Sequence, residues 1–174
     1  MSAGKRIQQG IRALLAVTQS VDYELAGRYL NAKQMTLFCR MTKSEQLHSL
    51  HVLEDVLADG EAVSDELAVA ALMHDVGKAR YHLAIWQKTI AVLARKLFPK
   101  MEAQLAQGEH LNFWRAPFVV RKYHPKWSGE LLAEVGASEQ AIWLVTHHAD
   151  PATKWQTHPS YLLLFRLQKA DDAN

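Results

Sequence analysis

The run Ala68-Val69-Ala70-Ala71-Leu72-Met73-His74-Asp75-Val76-Gly77-Lys78 decides how this chain is read. Six apolar residues lead without a break into a histidine and an aspartate, and a glycine and a lysine follow. Leu67, Ala70, Ala71 and His74 share one helical face by the i, i+3, i+4, i+7 rule, so His74 points where its helix is apolar. A polar group in such a place is costly unless something compensates it.

Moving outward, the same pattern recurs on other helices. His48 lies four residues before Val52 and eight before Val56, on a packed side. Leu144 lies three residues before His147 and four before His148, so at least one of that pair faces inward. Leu164, Leu167 and Asp171 repeat the spacing near the end of the chain, and Asp171 fits this stripe better than Asp172. A set of inward polar groups this large needs a shared reason. A divalent metal supplies one, because it neutralises carboxylates and fixes imidazole tautomers. Imidazole and carboxylate groups converging from several helices are how an all-helical bundle builds a metal site. A lone inward histidine is more often a hydrogen-bonded core residue. His82, His110 and His158 are read that way or as surface residues, and His51 as a supporting residue one turn beyond His48.

The composition sets the frame. A chain of 174 residues is one domain by size, and 49% apolar with 22% charged residues is ordinary for a soluble globule. There is no signal-peptide pattern and no apolar run near 18 residues, so a cytoplasmic protein without a membrane partner is expected. Cys39 is the single cysteine; no intrachain disulfide can form, and beside Leu37 and Phe38 it reads as a small core residue. Net charge is only +2, yet Lys78 to Lys126 holds ten Lys or Arg against two acids, Glu102 and Glu109. That segment carries +8 and the rest of the chain −6. A basic stretch starting just after His74-Asp75 points to an anionic ligand near the site.

Strand signals are almost absent. Helices are expected over Lys5–Thr18 and Asp22–Leu30, then from the capping box Thr42-Lys43-Ser44-Glu45 to Ala58. Ser64 or Asp65 caps the next, running to about Val76. Further helices are expected over Leu83–Phe98, Pro125–Val135, Ser138–His148 and Pro159–Asp171, with an irregular aromatic stretch from Gly108 to Pro117. The fold class is all-α: a single helical bundle with short connections, in which residues 1–40 form an N-terminal helical extension and 41–174 the metal-binding domain.

Five segments carry a family likeness. Leu47-His48-Ser49-Leu50-His51-Val52, Leu72-Met73-His74-Asp75-Val76-Gly77-Lys78 and Lys169-Ala170-Asp171 resemble, in order, the signature of the HD superfamily of metal-dependent phosphohydrolases. His124-Pro125-Lys126-Trp127-Ser128-Gly129-Glu130-Leu131-Leu132 and Val145-Thr146-His147-His148 resemble the extra histidine segments of its dinuclear branch. The likeness spans about Glu45 to Asp171. It implies that His48, His74, Asp75 and Asp171 hold one metal. Asp75 would bridge to a second metal held by His124 and by His147, His148 or both. The metals implied are divalent transition ions, one or two per chain, with Mn, Fe, Co or Ni ahead of Mg. Cyclic-dinucleotide phosphodiesterases of the superfamily carry Gly-Tyr-Pro after the histidine pair; here Ala149-Asp150-Pro151 follows. Alarmone hydrolases carry an acidic pair after His-Asp; here Lys78 and Arg80 stand instead. Bacterial symmetrical dinucleoside tetraphosphate hydrolases share the six-element layout but not the long basic insert before His124.

The chemistry implied is hydrolysis of a phosphate ester or anhydride by a metal-activated water. Asp75 bridges and orients, and Lys78, about one turn beyond, neutralises phosphate charge. Arg80, Arg121, Lys122 and Lys126 are further candidates for that task. The expected partner is a small phosphorylated metabolite, a nucleotide in the first place, rather than nucleic acid. Trp86, Trp114 and Trp127 could stack a base, although core packing is the stronger reading. Two alternatives keep the metals: a di-iron oxygenase of the same superfamily, and a non-catalytic metal-containing binding or regulatory module.

Overall fold

A computed structural model of the chain describes residues 19–81, 83, 84, 87, 93, 97, 101, 104–109 and 112–174. The expected helix Lys5–Thr18, most of the expected helix Leu83–Phe98, and His82, Trp86 and His110 lie outside the described residues. Among the described residues there is no strand, and the protein is all-α. In chain order the helices are α1 (Tyr23–Gly27), α2 (Ala32–Phe38), α3 (Lys43–Leu57), α4 (Asp65–Met73), α5 (Ala116–Glu134), α6 (Glu139–His147) and α7 (Tyr161–Ala173). Two 3₁₀ turns, Val76–Arg80 and Ala152–Trp155, stand among them.

Local chemistry places the ends. Thr42 and Glu45 form the expected capping box at the start of α3, and Asn31 with Gln34 forms another on α2. Ser64 caps α4 through the Leu67 N–H, and Ser138 caps α6 through the Ala141 N–H. Gly136, at φ 72°, closes α5: the Ala137 N–H reaches back to the Leu132 carbonyl and the Gly136 N–H to Ala133.

α4 is the central rod. Every residue from Leu67 to Met73 is buried, as expected of a helix apolar on all sides. It packs against α3, α6 and α7, and the turn that follows it packs on α5. The same buried cluster takes in Leu50, Leu53 and Val56 of α3, Leu144 and Val145 of α6, and Leu164 and Leu167 of α7. Ala26, Leu30, Leu37 and Phe38 join it from the α1–α2 region. Arg166 clamps α7 to the segment after α3 by a two-pronged contact with Asp59, at 2.7 and 2.8 Å. Gln168 donates to the carbonyls of His148 and Asp150 at 2.8 and 2.7 Å, tying α7 to the end of α6. These two ties aim Asp171 at the end of α4.

Several expectations are corrected. The His-Asp helix stops at Met73, not near Val76; Asp75 lies at φ −97°, ψ 0°, outside helical geometry. Successive residues of a regular helix point about 100° apart, so this break lets both His74 and Asp75 face the same centre. Pro125 does not start a helix. It sits inside α5, which runs unbroken from Ala116, with Pro117 in its first turn. The burial of Val119, Val120 and Trp127 on one side of α5 outweighs the helix-breaking tendency of the ring. Cys39 is exposed, because α2 buries Gln34, Leu37 and Phe38 instead. Trp127 is core, but Trp114 is 74% exposed.

Candidate metal centre

Four helices and one turn bring polar groups to a single point. His48 Nε2, from α3, lies 2.9 Å from Asp171 Oδ1 and 3.9 Å from Asp75 Oδ2. His74 Nε2 lies 3.6 Å from each of the same two oxygens. On the far side of Asp75, Oδ1 lies 3.3 Å from His124 Nε2 of α5 and 3.9 Å from His148 Nε2 at the end of α6. Asp75 is thus shared by two groups with metal-ligand spacing, His48–His74–Asp75 and Asp75–His124–His148.

The donor chemistry fits a cation. His74 Nδ1 faces the Ala71 carbonyl at 2.9 Å, His148 Nδ1 the Val145 carbonyl at 2.7 Å, and His124 Nδ1 the Arg121 carbonyl at 2.9 Å. A carbonyl can only accept, so each Nδ1 carries the proton. A neutral ring then presents a bare lone pair on Nε2. Those lone pairs converge on a carboxylate, and His124 and His148 Nε2 lie 3.3 Å apart. Buried His74 Nε2 has no hydrogen-bond partner among the described residues. Imidazole acceptors gathered around one buried carboxylate are costly in a protein interior and are what a divalent ion requires.

A family model described as HD domain matches residues 46–173. The chain belongs to the HD-domain family. No curated protein and no solved structure matches it. HD domains form a superfamily made up mostly of metal-dependent hydrolases, and the two His/Asp groups are in keeping with that membership.

Charge at the HD centre is balanced by protons and by a lysine. Burial pulls the His74 imidazole down, but the Asp75 and Asp171 carboxylates overcome this and hold it raised to about 9. Burial pushes Asp75 up; Lys78, His74 and His124 outweigh it and keep the carboxyl well below its usual range. Asp171 is likewise depressed against the effect of burial by its hydrogen bond with His48 and by the nearby His74 ring. His148 is lowered to about 3 by burial and by the neighbouring His74 and His124 rings, so it stands neutral and ready as a ligand. A proton and a metal ion compete for His74 Nε2. Metal affinity is therefore expected to rise about tenfold per pH unit as pH climbs towards about 9, and to level off above it. Chelator-buffered metal titrations across that window check the sign; an affinity independent of pH would remove His74 from the ligand set.

The structure separates the remaining candidates. His148 turns inward, but His147 does not reach the centre. Its Nδ1 lies 3.0 Å from Asp150 Oδ2 and its ring packs on Trp143 and Trp155. Helical geometry persists through both residues, so the two rings diverge. Lys78 Nζ sits 2.5 Å from Asp75 Oδ2, at the edge of a cavity of about 690 Å³. Arg121 also lines that cavity. Arg80, Lys122 and Lys126 are directed elsewhere. Arg80 pairs with Glu130 at 2.8 Å and lies over the Trp127 ring, Lys126 pairs with Glu109 at 2.5 Å, and Lys122 lies over the Tyr123 ring. Among the described residues, Glu109 from within the basic stretch and Glu130 from beyond it hold Lys126 and Arg80 away from the site. Glu45, expected only as part of the capping box, also lines the cavity, as do Tyr81, Leu83 and Val120, to which the sequence alone assigns no role. Glu45 was legible: it stands three residues before His48, on the same face of α3. No helix among the described residues is long and apolar enough to cross a membrane.

Proposed function

We propose that this protein is a phosphohydrolase that cleaves a phosphate ester or anhydride of a small metabolite, a nucleotide being the best fit. The observation that carries the reading is the meeting of two His/Asp groups on Asp75 with a lysine ammonium beside them, all opening on one cavity. His48, His74, Asp75 and Asp171 would hold one divalent transition metal, and Asp75, His124 and His148 a second. Imidazole-rich ligand sets favour Mn, Fe, Co or Ni over Mg. When bound, such ions supply Lewis acidity and lower the pKa of water towards neutrality.

The chain's own groups do the rest. Asp75 ties the two ligand groups together and fixes their separation. Lys78 has a side chain about a third exposed, so its ammonium can turn from Asp75 to a phosphate oxygen arriving from the cavity. Arg121 supplies a further cation at the wall. Tyr81, Leu83, Pro117 and Val120 give the apolar surface that the organic part of a substrate needs. A cavity of about 690 Å³ is within the usual range for small-molecule sites.

Metal-stripped protein assayed on a panel of phosphomonoesters, phosphodiesters and nucleotides, with Mn, Fe, Co, Ni and Mg added singly, tests the reading. Phosphate release that depends on a transition metal supports it. Oxygen uptake by the iron form without phosphate release would overturn it. For Lys78→Ala, the expected result is a loss of about 10- to 150-fold in kcat/KM with metal content kept, as for one charge-assisted hydrogen bond of about 1.5–3 kcal/mol. Cleavage at the wild-type rate across salt concentrations would remove Lys78 from substrate binding.

A further inference from the structure

His74, His124 and His148 share one orienting device: Nδ1 donates to the carbonyl three residues earlier, which leaves Nε2 aimed at Asp75. For His74 and His148 the device comes with the helix end. His74 follows the last residue of α4 and His148 the last of α6, and the carbonyls of a final turn have no helical N–H to accept. His124 has no such excuse, for it lies in the middle of α5. There the Arg121 carbonyl would ordinarily take the N–H of the residue four places on. That residue is Pro125, which has no N–H and whose ring crowds the same carbonyl outward.

We infer that Pro125 is a positioning residue for the second metal position: it frees the Arg121 carbonyl in mid-helix, and that carbonyl fixes the tautomer and aim of His124. The proline makes one interior turn of α5 behave as a helix end. His124 Nδ1 is also 3.1 Å from the Val120 carbonyl, the acceptor its own backbone N–H uses in a regular helix, so of the two carbonyls it is Arg121's whose i+4 residue has no N–H to donate. This inference rests on the dinuclear reading of the site.

The test is Pro125→Ala, which keeps a Cβ and restores an N–H that competes for the Arg121 carbonyl. Three readouts are taken beside wild type. In long-range proton–nitrogen NMR of the metal-free protein, at a pH where the ring is neutral, His124 should shift from the Nδ1–H tautomer towards Nε2–H. In metal titrations with Mn or Co, the second equivalent should bind about 10- to 100-fold more weakly while the first is unchanged, the usual scale for losing an orienting partner. The denaturation midpoint should rise or stay level, because alanine suits a helix interior better than proline. A purely structural proline predicts the reverse, with stability lost and metal affinity following it. Unchanged tautomer and unchanged second-equivalent affinity would overturn the inference. His124→Ala separates the two levels. If it also leaves the second equivalent intact, the dinuclear reading fails; if it abolishes that equivalent while Pro125→Ala does not, only the role of Pro125 fails.

Discussion

Asp75→Ala is expected to abolish metal uptake at both positions and, with it, hydrolysis of the best panel substrate. Asp75 is the one residue common to the two ligand groups, with Oδ1 facing His124 and His148 and Oδ2 facing His48 and His74. Removing it leaves three buried imidazoles with no shared anion. The ions would keep no more than two or three ligands each, and the carboxylate that offsets their charge would be gone. Breaking a buried pair typically costs about 3–5 kcal/mol. Here the folding loss should be smaller, because Lys78 can swing its ammonium into solvent once its partner is removed. Metal analysis of the purified variant, an activity assay and a thermal melt separate these effects. A variant that still bound two equivalents would refute the assignment of Asp75 as the shared ligand.

Gly77→Ala should be the most damaging change that replaces no proposed ligand. The turn after α4 lies so close to α5 that a Cβ at position 77 would overlap the His124 carbonyl oxygen and come within 2.8 Å of the Ser128 backbone nitrogen. Both are helix backbone and cannot step aside. The contact is locked by Ser128, whose hydroxyl donates to the His74 carbonyl at 2.7 Å and accepts from the Gly77 N–H at 2.8 Å. One serine therefore joins the segment bearing His74 and Asp75 to the helix bearing His124. Overpacking of this kind costs about 1–3 kcal/mol or more, and in a chain of this size each kcal/mol moves Tm by about 2–4 °C. A fall in Tm on the order of 5–10 °C is expected, together with weaker binding of the second metal equivalent as Asp75 and His124 move apart. A melt and metal titration like those of wild type would show that the approach of turn and helix does not set the ligand spacing.

Much of this protein is local and could be read residue by residue. A period of 3.6 residues converts spacing into a face, so His48, His74 and Asp171 are placed inward by Val52, Val56, Ala70, Ala71, Leu164 and Leu167 without any knowledge of their neighbours. Thr42, Ser64 and Ser138 mark helix starts because a cap is completed within four residues. The all-α class follows from the same local signals, and the order of the histidine and aspartate segments carries the family likeness. What tertiary structure decided depends chiefly on pairs distant in the chain. His148 enters the centre because His124 and Asp75 meet it there, while the His147 ring packs on Asp150, Trp143 and Trp155. Glu130 and Glu109 draw Arg80 and Lys126 away, while Lys78 and Arg121, among the described residues of the basic stretch, line the cavity. Pro125, which in isolation marks a helix start, is carried through the middle of α5. Burial on one flank and the close approach of Gly77 on the other hold that helix together, and neither is visible to a window of neighbouring residues.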